Sequence, residues 1–209
     1  VGLSDSGNQP LVHPEDKNLF LICNGEIYNY EKLAKKNNYN LKSGSDCEII
    51  LFLYKEFGIE KTVKMLDGVF MFVLYDRNKN LIFSARDPFG VRPGFIGYDK
   101  NDIYISSEAK SLVGHCNKII PFKPGTWFSS KNIHEFNYYY KLKFQNITDL
   151  NEIYKNINKI LTESVVKRLM SDRKIGCLLS GGLDSSLIAA LVAKYGDNSK
   201  LDTFSIGMP

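Results

Sequence analysis

Hydrophobic and polar positions divide the chain into two regions with different periodicities. In the first 140 residues, short apolar runs separated by polar turns predict antiparallel strands. These strands are expected at 19–23, 69–75, 81–85, 94–98, 102–106 and 126–129. Helical spacing predicts short helices at 30–37, 59–66 and 108–113. Another helix is expected to open at Ser45 or Asp46, with Ile49, Ile50, Leu53 and Tyr54 on its buried face.

From residue 149 onward the pattern changes to alternating helices and strands. Residues 149–170 predict one long helix, with an apolar face formed by Ile153, Ile157, Ile160, Leu161, Val165 and Leu169. A buried strand at 174–179, a helix at 184–194 and a second, parallel strand at 202–207 follow. We therefore place a domain boundary near residue 145, separating 1–145 from 146–209.

The Asn24-Gly25 pair has two interpretations. Asn-Gly between strands is typical of a type I′ hairpin turn. However, residues 30–37 have a helical pattern rather than that of a returning strand, which weakens the hairpin interpretation.

Composition narrows the class of protein. The chain has 209 residues, and its 44% hydrophobic and 24% charged residues are typical of a globular protein. Its net charge is +4. It contains no apolar run of the roughly 18 residues that span a membrane, and no aromatic–basic interleaving of the RNA-binding kind. The four cysteines form no CxxC pair. We expect a cytoplasmic protein without nucleic-acid or membrane partners, and, since Val1 is not methionine, a fragment of a longer protein or a processed chain.

A phosphate-binding loop is predicted where the strand at 174–179 meets the next helix. Glycines let the backbone approach an anion closely, and the N–H groups of a helix start favour negative charge. Ser180, Ser185 and Ser186 add hydroxyl donors, while Asp184 can cap the helix or hold a metal. No lysine follows Gly181 and Gly182, so the loop is not of the Walker type. The string SGGLDSS resembles the pyrophosphate-binding loop of the ATP pyrophosphatase superfamily; an ordinary strand–helix turn is the alternative.

A more specific resemblance comes from the order of several stretches along the chain. These are NGEIYNY (24–30), SGSDCE (43–48), DGVFMFVLYD (67–76), RDPFGVRP (86–93), SSEAKSL (106–112) and LLSGGLDSS (178–186). In this order they resemble the glutamine-hydrolysing asparagine synthetases. The resemblance implies an α+β fold: an N-terminally truncated Ntn-type αββα glutaminase sandwich, followed by the start of an α/β parallel-sheet ATP pyrophosphatase domain.

The resemblance also implies roles for residues of the first domain. Asn24 and Gly25 are expected to form the oxyanion hole, and Glu26 and Asp46 to hold the amino-acid end of glutamine. Arg86 and Asp87 are expected to support the site structurally. The family's nucleophile is an N-terminal cysteine, which this chain lacks, so the polypeptide as given is not expected to hydrolyse glutamine.

In the second domain, the resemblance implies an ATP site. Its residues would be Ser180, Gly181, Gly182, Asp184, Ser185 and Ser186 around the pyrophosphate, with Leu179 and Ile206 flanking the adenine. Asp184 is the expected Mg²⁺ contact. The implied reaction adenylates aspartate with ATP and amidates it with glutamine-derived ammonia, and a homodimer is compatible with the sequence. The alternatives are a related enzyme with another acceptor, such as a β-lactam synthetase, or a non-catalytic glutaminase-like binding module.

Overall fold

A computed structural model of the chain describes residues 7–100, 102–144, 146–171, 173–196 and 200–207. The chain divides into two compact units, Val1–Leu142 and Lys143–Pro209. The predicted boundary near residue 145 lies close to this division, and the assignment of the two sides as functional domains stays a prediction. No helix in the described ranges combines the length and apolar character that crossing a bilayer requires.

The first unit is built on two antiparallel sheets. Its described strands are β1 (Leu11–Val12), β2 (Leu19–Ile27), β3 (Gly68–Asp76), β4 (Leu81–Arg86), β5 (Phe95–Asp99), β6 (Asp102–Ser106), β7 (Lys118–Pro121), β8 (Thr126–Ser129) and β9 (Phe136–Tyr138). The larger sheet has the order β1-β2-β3-β4-β8-β9, and the smaller sheet has the order β6-β5-β7. The antiparallel pairing predicted from the alternating pattern is therefore confirmed.

Two helices accompany the sheets, α1 (Tyr30–Asn37) and α2 (Ile49–Met65). A 3₁₀ turn, Asp46–Glu48, leads into α2, and the Ser45 hydroxyl caps it by accepting a hydrogen bond from the Cys47 N–H at 3.3 Å. Gly58 interrupts α2 with φ +73°, a backbone conformation that favours glycine. This break explains why the sequence predicts two helices on either side of it.

Two apolar clusters hold the first unit together, and β3 contributes to both. Phe70, Phe72 and Leu74 pack with the buried start of α2. Met71, on the opposite face of β3, packs with Ile96 of the smaller sheet. The larger sheet is therefore covered by helices on one face and by the smaller sheet on the other, which explains the nearly continuous apolar run of β3.

Some predicted elements differ from the structure. The hairpin interpretation of Asn24-Gly25 is wrong, because both residues lie inside β2, opposite Met71 and Phe70 of β3. The helix expected at 108–113 is only a 3₁₀ turn, Ala109–Leu112. The short strands β1, β7 and β9 lie outside the predicted strands.

The second unit contains a parallel strand pair and two helices within its described residues. These are α3 (Leu150–Val166), β10 (Gly176–Leu178), α4 (Leu183–Tyr195) and β11 (Asp202–Phe204). The Asp149 carboxylate caps α3 by accepting from the Asn151 N–H at 2.8 Å. The parallel pairing of β10 with β11 is as predicted. The expected apolar face of α3 is only partly buried: Val165 lies in the local core, whereas Ile157 and Ile160 remain exposed.

Candidate functional site

The first candidate site lies along an edge of β2 that β1 leaves uncovered. Among the described residues β1 pairs only with Phe20 and Leu21, so no described strand covers this edge from Cys23 onward. The Gln9 side chain occupies the first part, accepting from the Cys23 N–H at 2.7 Å and donating to its carbonyl at 2.8 Å. Alternate residues of an antiparallel strand point their backbone groups to the same edge, so the Gly25 N–H faces this edge as well.

Gly25 is the residue that this strand pair requires. A Cβ atom there would lie 2.4 Å from the Val69 carbonyl oxygen and 2.6 Å from the Phe70 Cα, which are backbone atoms of β3. Glycine therefore allows β2 and β3 to approach closely at position 25.

Asp46 closes the far end of the same edge. Its Oδ2 accepts a hydrogen bond from the Ile27 N–H at 2.5 Å, and its side chain is buried. Burial raises the pKa of Asp46, the Ile27 N–H opposes that rise, and the nearby charge of Glu26 adds to it. A cation entering this site would relieve the cost of keeping Asp46 ionised.

A cleft of about 160 Å³ brings these groups together. Its lining includes Asn24, Gly25, Asp46 and also Arg92, which sequence reasoning did not single out. Glu26 does not line the cleft itself, but its Oε1 lies 3.3 Å from Nη2 of Arg92. The four residues predicted for the glutaminase site therefore lie near one another, and the cationic side chain of Arg92 lies beside them.

The turn 86–92 fixes the position of that cation. The buried carboxylate of Asp87 accepts from the N–H groups of Phe89 at 3.1 Å, Val91 at 2.9 Å and Arg92 at 3.0 Å. The Arg86 guanidinium donates to the carbonyls of Arg92 and Phe122, each at 2.7 Å. Both side chains therefore organise the loop.

The Asn24 side chain has a hydrogen-bond partner that the sequence did not reveal. Its Nδ2 donates to Oγ of Ser107 at 3.2 Å, just after the end of β6 in the smaller sheet. Because 83 positions separate the two residues, only the packing of the two sheets brings them together. This bond orients the side-chain amide of Asn24.

The second candidate site is the loop between β10 and α4. Gly181 has φ +84°, and nothing lies within 4 Å of the position of a Cβ there, so the loop surface is open. Oγ of Ser180 and Oγ of Ser185 are 3.0 Å apart, and Ser185 also donates to the Gly182 carbonyl at 3.1 Å. The helix proper begins with the Ser186 N–H donating to Gly182.

Leu179 and Ile206 lie just beyond the carboxyl ends of the two parallel strands. The Leu179 N–H donates to the Phe204 carbonyl at 2.8 Å, and the Ser205 hydroxyl donates to the Leu179 carbonyl at 2.6 Å. Ile206 is fully exposed. Ligands of open parallel sheets bind at this edge, so both residues lie where a nucleotide would be expected.

The single carboxylate named at the second site, that of Asp184, fits a metal ion that arrives together with its ligand. Asp184 lies in the first turn of α4 and is exposed. No group of three or more His, Cys, Asp or Glu side chains that could hold a metal occurs in the described ranges. Mg²⁺ commonly binds one or two carboxylates together with phosphate oxygens, so Asp184 suits a nucleotide-borne ion better than a resident one.

Two family models match the chain. The family model "Glutamine amidotransferase domain" matches residues 1–174, and the model "Asparagine synthase" matches residues 156–209. Because the two matches overlap, they do not fix a boundary.

Curated relatives and a solved structure are also similar to the chain. The probable glutamine-hydrolysing asparagine synthetase of Schizosaccharomyces pombe is 41% identical over 98% of this chain and 41% of its own length. That of Dictyostelium discoideum is 43% identical over 94% of the chain and 37% of its length. The chain thus spans about two fifths of these relatives. Glutamine phosphoribosylpyrophosphate amidotransferase from B. subtilis superposes with a TM-score of 0.55 at 20% identity, over 94% of this chain and 48% of that one, which indicates a shared fold.

The fold and the longer family match define a glutamine amidotransferase domain. More particularly, the chain belongs to the glutamine-hydrolysing asparagine synthetase family.

Proposed function

We propose that the chain is the glutamine-binding and ATP-binding part of an asparagine synthase that uses glutamine as its amide donor. The observation that carries this proposal is the meeting of Asn24, Gly25 and Asp46 on one cleft along the open edge of β2. An amide donor, a backbone donor and a buried carboxylate match the side-chain amide and the α-ammonium of glutamine. The names of the relatives favour asparagine as product over the amides made from other acceptors.

In this proposal the cleft works by stabilising charge that develops on the glutamine amide. When a nucleophile attacks the amide carbon, negative charge forms on its oxygen, and the Asn24 amide and the Gly25 N–H lie along the edge that would receive it. One such preorganised donor is worth about 3–4 kcal/mol of barrier. Asp46, with Glu26 beside it, would hold the α-ammonium and so fix the direction in which the amide points.

The loop 180–186 would hold the phosphates of ATP in the second unit, which we assign to the ATP pyrophosphatase type. The aspartate β-carboxylate attacks the α-phosphorus, and pyrophosphate leaves. Ammonia then attacks the β-aspartyl adenylate, giving asparagine and AMP. Ser180, Ser185 and the backbone N–H groups of the α4 start would bind the departing pyrophosphate. Asp184 would contact Mg²⁺, which when bound neutralises phosphate charge.

The test is product analysis of the natural protein that carries this sequence. With aspartate, ATP and glutamine, it should form asparagine, AMP, pyrophosphate and glutamate in equal amounts. Asp184→Asn should reduce asparagine synthesis while leaving glutamine hydrolysis in place. Asp46→Asn should reduce glutamine hydrolysis while leaving asparagine synthesis from added ammonia in place. Turnover of another carboxylic acid in place of aspartate would contradict the substrate assignment.

A further inference from the structure

Arg92 is the charged group at the cleft that the proposed function does not yet use. Its Nη2 lies 3.3 Å from Oε1 of Glu26, with 33% and 27% of the two side chains exposed. The guanidinium thus lies beside a carboxylate that we have assigned to the glutamine ammonium.

The backbone of Arg92 is held on both sides by hydrogen bonds to side chains. Its N–H donates to Oδ2 of Asp87 at 3.0 Å, and its carbonyl accepts from Nε of Arg86 at 2.7 Å. Asp87 also accepts from the Phe70 N–H of β3 at 3.3 Å, which ties the turn to the strand beside Gly25. The Cα of Arg92 therefore has little freedom to move relative to β2.

The side chain of Arg92 keeps its position at a cost. Its Nε is buried and has no hydrogen-bond partner among the described residues. A buried donor without a partner is unfavourable, and an arginine chosen only for stability would adopt a rotamer that avoids this loss. Since partly exposed ion pairs contribute little to stability, the pair with Glu26 does not by itself account for the arrangement.

Charge balance at the cleft supplies a reason. Glu26 and Asp46 each carry a carboxylate, and the charge of Glu26 disfavours ionisation of Asp46. The positive charge of Arg92 and the two carboxylates of Glu26 and Asp46 add up to one net negative charge. This charge is complementary to the single positive charge of the α-ammonium. Without Arg92, the long Glu26 side chain would be repelled from Asp46 and would sample several rotamers.

We infer that Arg92 is a positioning residue that holds the Glu26 carboxylate in place to receive the α-ammonium of glutamine. The inference rests on the proposed function, because it presupposes that glutamine occupies this cleft. Arg92 acts through Glu26 and does not itself bind the part of glutamine that reacts.

The test is an NMR titration of ¹⁵N-labelled chain with two ligands. One is L-glutamine, and the other is glutaramic acid, which is glutamine without its α-amino group. Arg92→Gln should weaken L-glutamine binding about three- to tenfold, as expected for loss of one charge-assisted contact, and leave glutaramic acid binding unchanged. Arg92→Lys should fall between, because it keeps the charge without the planar fork. Arg77→Gln, at an exposed turn, is the matched control and should bind like the wild type.

Four outcomes would overturn the inference. Equal weakening of both ligands would mean that Arg92 acts on the structure of the cleft or on the shared carboxylate. A Glu26→Gln, Arg92→Gln double variant that is weaker than Glu26→Gln alone would mean that Arg92 acts independently of Glu26. A wild-type chain that binds neither ligand would overturn the glutamine assignment together with this inference, whereas binding that Arg92→Gln leaves unchanged would overturn the inference alone.

Discussion

Replacing Asp87 with asparagine should strongly destabilise the first unit. Each carboxylate oxygen accepts two backbone N–H groups: Oδ1 those of Phe89 and Val91, and Oδ2 those of Phe70 and Arg92. Asparagine keeps one acceptor oxygen but presents an NH₂ group at the other position. Whichever way the amide is oriented, two backbone N–H groups then face another donor.

The magnitude follows from the number of bonds lost. A hydrogen bond to a charged group contributes about 1.5–3 kcal/mol, so losing two should cost about 3–6 kcal/mol. This is a large part of the 5–15 kcal/mol by which a typical domain is stable. The turn would also loosen its hold on Arg92, so glutamine binding should weaken in any Asp87→Asn protein that remains folded.

Urea unfolding followed by tryptophan fluorescence measures this effect directly. Trp127 is the single tryptophan of the chain and packs against the larger core cluster of the first unit, so its emission reports that unit. Asp102→Asn, at the exposed start of β6, is the matched control and should change stability by less than about 0.5 kcal/mol. An Asp87→Asn variant as stable as this control would refute the reasoning.

Three further predictions concern other positions of the chain. Gly25→Ala should cost about 1–3 kcal/mol in the same urea assay, because its Cβ would overlap the β3 backbone; an unchanged midpoint would show that β2 and β3 can separate freely. The pKa of His13 is lowered by burial and then by Lys55, so the unfolded chain takes up a proton at higher pH than the folded one. Stability should therefore fall as the pH drops below about 6.5, and His13→Asn, which keeps an acceptor for the Asp16 N–H, should flatten this dependence of the urea midpoint. Pyrophosphate should shift the amide resonances of residues 180–186, and Gly181→Ala, strained at φ +84°, should reduce its affinity; an unchanged affinity would exclude a role for this backbone conformation.

Periodic stretches of the sequence predicted the fold well, and short or irregular ones did not. The strand at 69–75 and the helix α1 follow from apolar spacing, and the parallel pair β10 and β11 follows from the alternation of strand and helix. Asn24-Gly25 was ambiguous, since its dipeptide favours a turn while the close approach of β3 requires the same glycine within a strand. Local sequence propensity carries no information about the close approach of another strand.

The candidate sites were predictable only in part for a related reason. Residues of one short stretch, such as Ser180 to Ser186, can be recognised together, because neighbours in the sequence are also neighbours in the structure. The contacts of Glu26 with Arg92 and of Asn24 with Ser107 join residues 66 and 83 positions apart, and only the strand register and the sheet packing bring them together. A cytoplasmic location and a homodimer remain predictions from sequence.

Transfer of the amide nitrogen is the measurement that tests the central proposal most directly. The natural protein that carries this sequence would be incubated with aspartate, ATP and glutamine labelled with ¹⁵N at its side-chain amide. We predict that the label appears in the side-chain amide of asparagine, with one pyrophosphate released for each asparagine formed. Unlabelled asparagine, or label that stays in glutamine while ATP is cleaved, would contradict the proposal that the cleft on β2 supplies the nitrogen.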